Sequence, residues 1–252
     1  MSTSYLDIIS SLAPEDRNRA QSALADLAFY ARGRYSLVGG LPIRYFLAKA
    51  GKVVPHRPFN DIDLIAEGAE AFHPSLVESF LIHHFHDGSP GRDFRFVLVH
   101  KKTNTKIDIF NELLLNGVVG EVNFGRGRLP IQSLESQLAK TVYDLATMHH
   151  RAPIDPKQFA DAAALMGIAD LKKAGALFEL QLPQGPTLGD AFLEAQDRAA
   201  NNPESVADKP WQSKPPYQCS KCYPSSPDWP LADMDEVYNR LGYIELDGAN
   251  ML

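Results

Sequence analysis

Asp61 and Asp63 flank a single apolar residue in the run DIDLIA, residues 61–66. The run alternates with period two, which predicts a strand carrying both carboxylates on one face, roughly 7 Å apart at their Cα atoms. Asp108 stands between Ile107 and Ile109 in KIDIF, residues 106–110, a second predicted strand. Carboxylates aimed at one point repel each other and lose hydration unless a cation joins them. Three of them on neighbouring strands suit Mg²⁺ or Mn²⁺, hard ions that take oxygen ligands and keep waters for a substrate phosphate. Two such ions would clamp the attacking and leaving oxygens of an in-line displacement. The alternative for an Asp-x-Asp pair taken alone is a solvated strand edge.

Gly39-Gly40 adds a second element to the pattern. The pair separates a predicted strand, Tyr35–Val38, from a predicted helix that opens at Leu41-Pro42-Ile43 and runs to Gly51. Glycines there let the backbone come close to a phosphate, and the helix start supplies free N–H groups. A Gly-Gly pair alone is a common turn. A Gly-Gly turn, then a helix, then an acidic strand, then a third Asp is far more specific.

The elements that must position these residues are legible in outline. A helix begins near Ser11-Leu-Ala-Pro14-Glu15, continues through Ala20, Leu24, Leu27 and Ala28, and is predicted to end at Gly33. Strands are expected at 93–100 and 106–110, joined by a hairpin over 101–105, and at 118–124. From Ser133 the pattern turns helical, with Leu134, Leu138, Val142 and Leu145 on one face, and a further helix is expected over 158–166. His83-His84-Phe85-His86 follows Phe80-Leu81-Ile82 and is predicted to be the exposed end of a helix. No internal repeat is present.

Composition narrows the class. An apolar fraction of 44% and a charged fraction of 22% belong to an ordinary globular protein. No apolar run reaches the roughly 18 residues of a membrane span, and the N-terminus has no basic, signal-like region, so a cytosolic location is expected. The net charge of −6 resides in residues 183–252, which hold five Lys/Arg and eleven Asp/Glu. Residues 92–151 instead carry nine basic against six acidic side chains, a region where a polyanion could dock. His149-His150-Arg151 adds to that basic character, and Gly125-Arg126-Gly127-Arg128 reads as a basic turn. No aromatic stacking platform for RNA is visible.

Nine of the eighteen prolines fall in the last seventy residues, so 183–252 is expected to be a loop-rich extension that wraps the body or is partly disordered, with a short helix at Val237–Leu241. The only cysteines, Cys219 and Cys222, have the spacing of half a zinc knuckle. A structural Zn²⁺ needs four ligands, so remote side chains or a second subunit would have to complete it; inert thiols are the alternative.

LVGGLPIRYFLA followed by RPFNDIDLIAE resembles the motif of the DNA polymerase beta-like nucleotidyltransferases, and more closely the AbiEii/MenT-type branch of bacterial toxin–antitoxin systems. That branch has an Arg shortly before Asp-h-Asp, matched by Arg57, and a Lys on a helix after a leucine-rich start, matched by Lys140. Its later basic stretch is matched by Arg151, Lys157 and Asp161. The resemblance spans roughly residues 20–165 and departs in two places: the interval from Gly40 to Asp61 is longer, and Gln158 replaces the Asp of a Lys-Asp pair. It implies that Gly39 and Gly40 hold a triphosphate, that Asp61, Asp63 and Asp108 ligate Mg²⁺, and that Asp108 also helps activate the acceptor hydroxyl. Lys140 would meet the triphosphate, with Arg57 and Asp161 supporting nucleotide binding.

The expected architecture is therefore α/β (α+β). A nucleotidyltransferase core of mixed sheet flanked by helices spans 1–130, a helical region 131–182, and the extension 183–252. The expected reaction moves a nucleoside monophosphate from an NTP to a hydroxyl and releases pyrophosphate. A tRNA 3′ end, a protein side chain or a small molecule such as an aminoglycoside would be the acceptor, and an antitoxin would be a partner. Two rival readings stand beside it. One is a glycosyltransferase that uses Asp61-x-Asp63 to hold Mn²⁺ and a sugar nucleotide. The other is a catalytically silent binding protein of the same fold.

Overall fold

A computed structural model describes residues 7–206, except 56, 58, 60, 87–94, 112–118, 126 and 148–153. In chain order the elements are α1 (Pro14–Tyr30), β1 (Tyr35–Val38), α2 (Gly40–Lys49), β2 (Asp61–Ala66), β3 (Phe80–His86), β4 (Arg95–His100), β5 (Thr105–Asn111), β6 (Val119–Phe124), β7 (Gly127–Gln132), α3 (Leu134–Thr147), α4 (Pro156–Met166), α5 (Leu171–Gln181) and α6 (Leu188–Asn201). The strands form one mixed sheet in the order β3-β4-β5-β2-β1-β7-β6. β2 pairs with β5, and β1 with β7, in parallel; β3/β4, β4/β5 and β6/β7 are antiparallel. The fold is thus mixed α/β. Among the described residues no helix is long and apolar enough to cross a membrane.

The chain divides into two compact units, one of Met1–Ser11, Leu37–Pro58 and Leu113–Gln212, the other of Leu12–Ser36, Phe59–Glu112 and Ser213–Leu252. The second contains α1 and β2–β5. Pro14 stands in the first turn of α1 with Glu15 and Asp16, the acidic start that complements the helix dipole. The helix stops at Tyr30, before Gly33, because Ala31 turns extended and bridges to Phe72. Gly33 then packs against Ala71, where a Cβ would come within 2.8 Å of backbone. Leu24, Leu27, Phe72, Phe80, Phe96, Ile62 and Ile107 are buried. His100, 1% exposed, ties the β4–β5 turn to α1: its ring nitrogens lie 2.9 Å from Asp26 Oδ2 and 2.7 Å from Thr103 Oγ1.

The first unit holds α2, β6, β7 and four further helices. Its core joins Ile43 and Leu47 of α2, Leu138, Ala139, Val142 and Leu145 of α3, Ala162 and Leu165 of α4, Phe178 of α5, and Leu188, Ala191 and Phe192 of α6. Each of the last three helices opens on a side-chain cap. Asp155 accepts from the Lys157 N–H, Asp170 from those of Lys172 and Lys173, and Thr187 from that of Asp190. The Lys173 N–H, foremost among its partners, holds the Asp170 carboxyl below its ordinary range.

Several expectations change. Residues 83–86 are strand, not helix end: β3 pairs antiparallel along β4, with an irregularity between Ile82 and His84. Cross-strand pairing with an apolar β4 outweighs the helical reading of a short apolar run. Gly127–Gln132 is a strand returning from β6 through a turn at Gly125 (φ 51°). The segment read as loop-rich from 183 begins with α6, an amphipathic helix whose apolar face joins the core above. Residues 207–252, with Cys219, Cys222 and the expected helix at 237–241, lie outside the described residues, as do His149, His150 and Arg151.

Candidate functional site

β2 and β5 run parallel with Asp61 opposite Lys106, Ile62 opposite Ile107, and Asp63 opposite Asp108. Because side chains alternate along a strand, this register puts the isoleucines on one face and the charged residues on the other. Ile62, Ile107 and Ile109 are buried, which fixes the register: a slip by one residue would bury the charges instead. Asp61 and Asp63 are half-buried, and Asp108 is 3% exposed. One carboxylate oxygen from each of the three lies within 4.8 Å of the others. That spacing lets a single ion touch all three oxygens, so the donor set fits a hard divalent cation such as Mg²⁺. Lys106 Nζ lies 2.5 Å from Asp108 Oδ2.

Gly39 and Gly40 occupy the turn from β1 into α2. Gly39 has φ 74° and ψ −146°, a backbone conformation that suits glycine, and caps the helix. Its N–H donates to Gln137 Oε1 at 3.0 Å, and its carbonyl accepts from the Ile43 N–H at 3.1 Å. Gln137 lies on α3, is 1% exposed, and donates through Nε2 to the Leu37 carbonyl at 3.2 Å. The buried amide thus clips both sides of Val38 and holds the turn. At Gly40 a Cβ would meet nothing within 4 Å among the described residues, so the start of α2 is open on that side. With the dipole of a ten-residue helix behind it, that opening can receive an anion.

Lys140 stands three residues beyond Gln137 on α3, and its Nζ lies 2.5 Å from Asp144 Oδ2. Arg57 and Asp161 are brought together in a two-pronged ion pair, Nη1 to Oδ2 at 2.9 Å and Nη2 to Oδ1 at 2.7 Å. Arg44 Nη2 donates to the Arg57 carbonyl at 2.5 Å, so the segment after α2 is tied both to its own helix and to α4. The structure therefore assembles Asp61, Asp63 and Asp108 in one cluster and pairs Arg57 with Asp161. Gln137 and Lys106 are the residues that the sequence reading did not single out. Lys106 had one signal, its place two residues before Asp108; Gln137 had none.

No family model matches the chain, and no curated protein does. Among solved structures, the chain is similar to the solution structure of the antibiotic-resistance factor ANT(2'')-Ia, with a TM-score of 0.44 and 16% identity over 73% of this chain and 96% of that one. It is also similar to an antigenic nucleotidyltransferase-like protein from Paracoccidioides brasiliensis, with a TM-score of 0.41 and 14% identity over 85% of this chain and 99% of that one.

Proposed function

We propose that the chain is a divalent-metal-dependent nucleotidyltransferase that moves a nucleoside monophosphate from an NTP to a hydroxyl acceptor. The observation that carries this reading is the convergence of Asp61, Asp63 and Asp108, from two parallel strands, to within 4.8 Å at their carboxylates. The Gly39-Gly40 turn at the start of α2, and the resemblance of the surrounding motif, support it further.

In the proposed reaction an acceptor hydroxyl oxygen forms a bond to the α-phosphorus while the bond between that phosphorus and the bridging α–β oxygen breaks. Pyrophosphate leaves with the electron pair, and Asp108 takes the hydroxyl proton. Asp61, Asp63 and Asp108 would hold Mg²⁺, which when bound supplies charge stabilisation for the phosphoryl oxygens. Gly39 and Gly40 would hold the triphosphate against the start of α2, Lys140 would meet its developing charge, and Arg57 with Asp161 would support nucleotide binding. The acceptor proposed is a tRNA 3′ end or a protein side chain, with an antitoxin as partner and the cytoplasm as location.

The test is incubation with each α-labelled NTP, Mg²⁺ or Mn²⁺, and bulk tRNA or lysate. Label is expected in RNA or protein with the wild type and to fall by at least about a hundredfold with Asp63→Ala, the scale of losing a principal transition-state stabiliser. Wild-type protein that labels neither fraction overturns the reading.

A further inference from the structure

We propose that Lys106 is a built-in counter-cation of the Asp61–Asp63–Asp108 cluster, holding the carboxylates together before a metal arrives and competing with that metal for Asp108. The inference rests on the metal-site reading above and adds a residue that controls it.

The register is the first support. Parallel pairing sets Asp61 opposite Lys106 and Asp63 opposite Asp108. Residues two apart on a strand share a face, so these four side chains stand at the corners of one patch. Three corners are negative and one is positive.

The ion pair is the second. The Lys106 ammonium lies 2.5 Å from Asp108 Oδ2, on the most deeply buried carboxylate of the three. A buried carboxylate needs a partner more than an exposed one does, because it has lost most of its hydration. The lysine side chain is 37% exposed, so its flexible stem has water to swing into once Asp108 takes another ligand. An ion that uses Asp108 Oδ2 must first displace the ammonium, so Lys106 lowers the metal affinity of the cluster while stabilising its metal-free form.

A Mn²⁺ titration followed by electron paramagnetic resonance tests this on the full chain, using wild type, Lys106→Met, Lys106→Gln and Lys106→Arg, with Asp63→Asn as reference. Melting temperatures in EDTA and in Mg²⁺ accompany it. Lys106→Met is expected to bind Mn²⁺ on the order of tenfold more tightly, the scale of removing one partly exposed charge beside a divalent ion. Its melting temperature should fall in EDTA and rise further on adding Mg²⁺ than that of the wild type, while Lys106→Arg stays near wild type. Lys106→Gln keeps a polar head and carries the same expectation should the Met variant fold poorly. Neutral variants that bind Mn²⁺ no more tightly than a wild type that does bind it overturn the role of Lys106 alone. A wild type that takes up no Mn²⁺, or uptake that Asp63→Asn leaves intact, overturns the metal site and this inference with it.

Discussion

Gln137 spends both ends of one buried amide on the backbone around the Gly-Gly turn. Replacing it with Leu leaves the Gly39 N–H and the Leu37 carbonyl without that partner, and a stranded buried polar group costs about 1–3 kcal/mol. Gln137→Leu should therefore lower unfolding stability by at least that much in urea titration and speed exchange of the Gly39 amide. A Leu variant as stable as wild type would mean that the clip contributes nothing. Asp61 and Asp63 were legible because their spacing alone puts them on one face of a strand. Lys106 and Gln137 were not, since the importance of each depends on what a distant segment places opposite it.

His73 shows the same dependence within one short element. It caps the 3₁₀ turn Pro74–Glu78, where Nδ1 accepts from the Ser75 N–H at 3.2 Å and lies 2.6 Å from Ser75 Oγ. Accepting requires an unprotonated Nδ1. Burial first, and the Arg32 charge second, push the imidazole below its ordinary value of 6.5, with Glu78 opposing in part. A base whose folded value is depressed binds fewer protons in the native state than in the unfolded one, so stability rises with pH across that interval. The contribution of His73 is thus complete above about pH 6.5 and is lost as pH falls from there toward the folded value. Melting curves between pH 7.5 and pH 5 should show this loss in the wild type and a flatter profile in His73→Asn, which caps without titrating. Identical profiles would rule the cap out as the source.

Element by element, β1 and β2 fall where the sequence reading put them, and α3 begins within a residue of it. α5 falls within the helical region expected over 131–182, though without bounds of its own, and α6 escapes the sequence reading because the prolines after 182 mask its amphipathic period. β3 was misread as helix because a short apolar run fits either period, and only its pairing with β4 decides.

At the scale of the molecule, the helical cluster is organised around α3, which packs on α2, α4, α5 and α6. Leu138 is fully buried at its centre. Leu138→Ala should cost about 2–5 kcal/mol through lost burial and the cavity left behind. Urea denaturation measures the loss, and amide exchange should locate it in α3–α6; a change under 1 kcal/mol, far below that range, would show that the site collapses freely.

What the sequence by itself determined is local: the two-residue period that aims Asp61 and Asp63 together, the isoleucines that flank Asp108, and the glycines that free a helix start. These follow from backbone geometry within a few residues, so they survive without knowledge of the rest of the chain. Only the tertiary structure decided which residues meet. Pairing of β2 with β5, more than forty residues apart, brought Asp108 to Asp63 and set Lys106 opposite Asp61. Packing of α3 delivered Gln137 to a turn nearly a hundred residues before it, and Asp161 of α4 to Arg57. Those contacts are selected by burial summed over whole strands and helices, a quantity that no local spacing encodes.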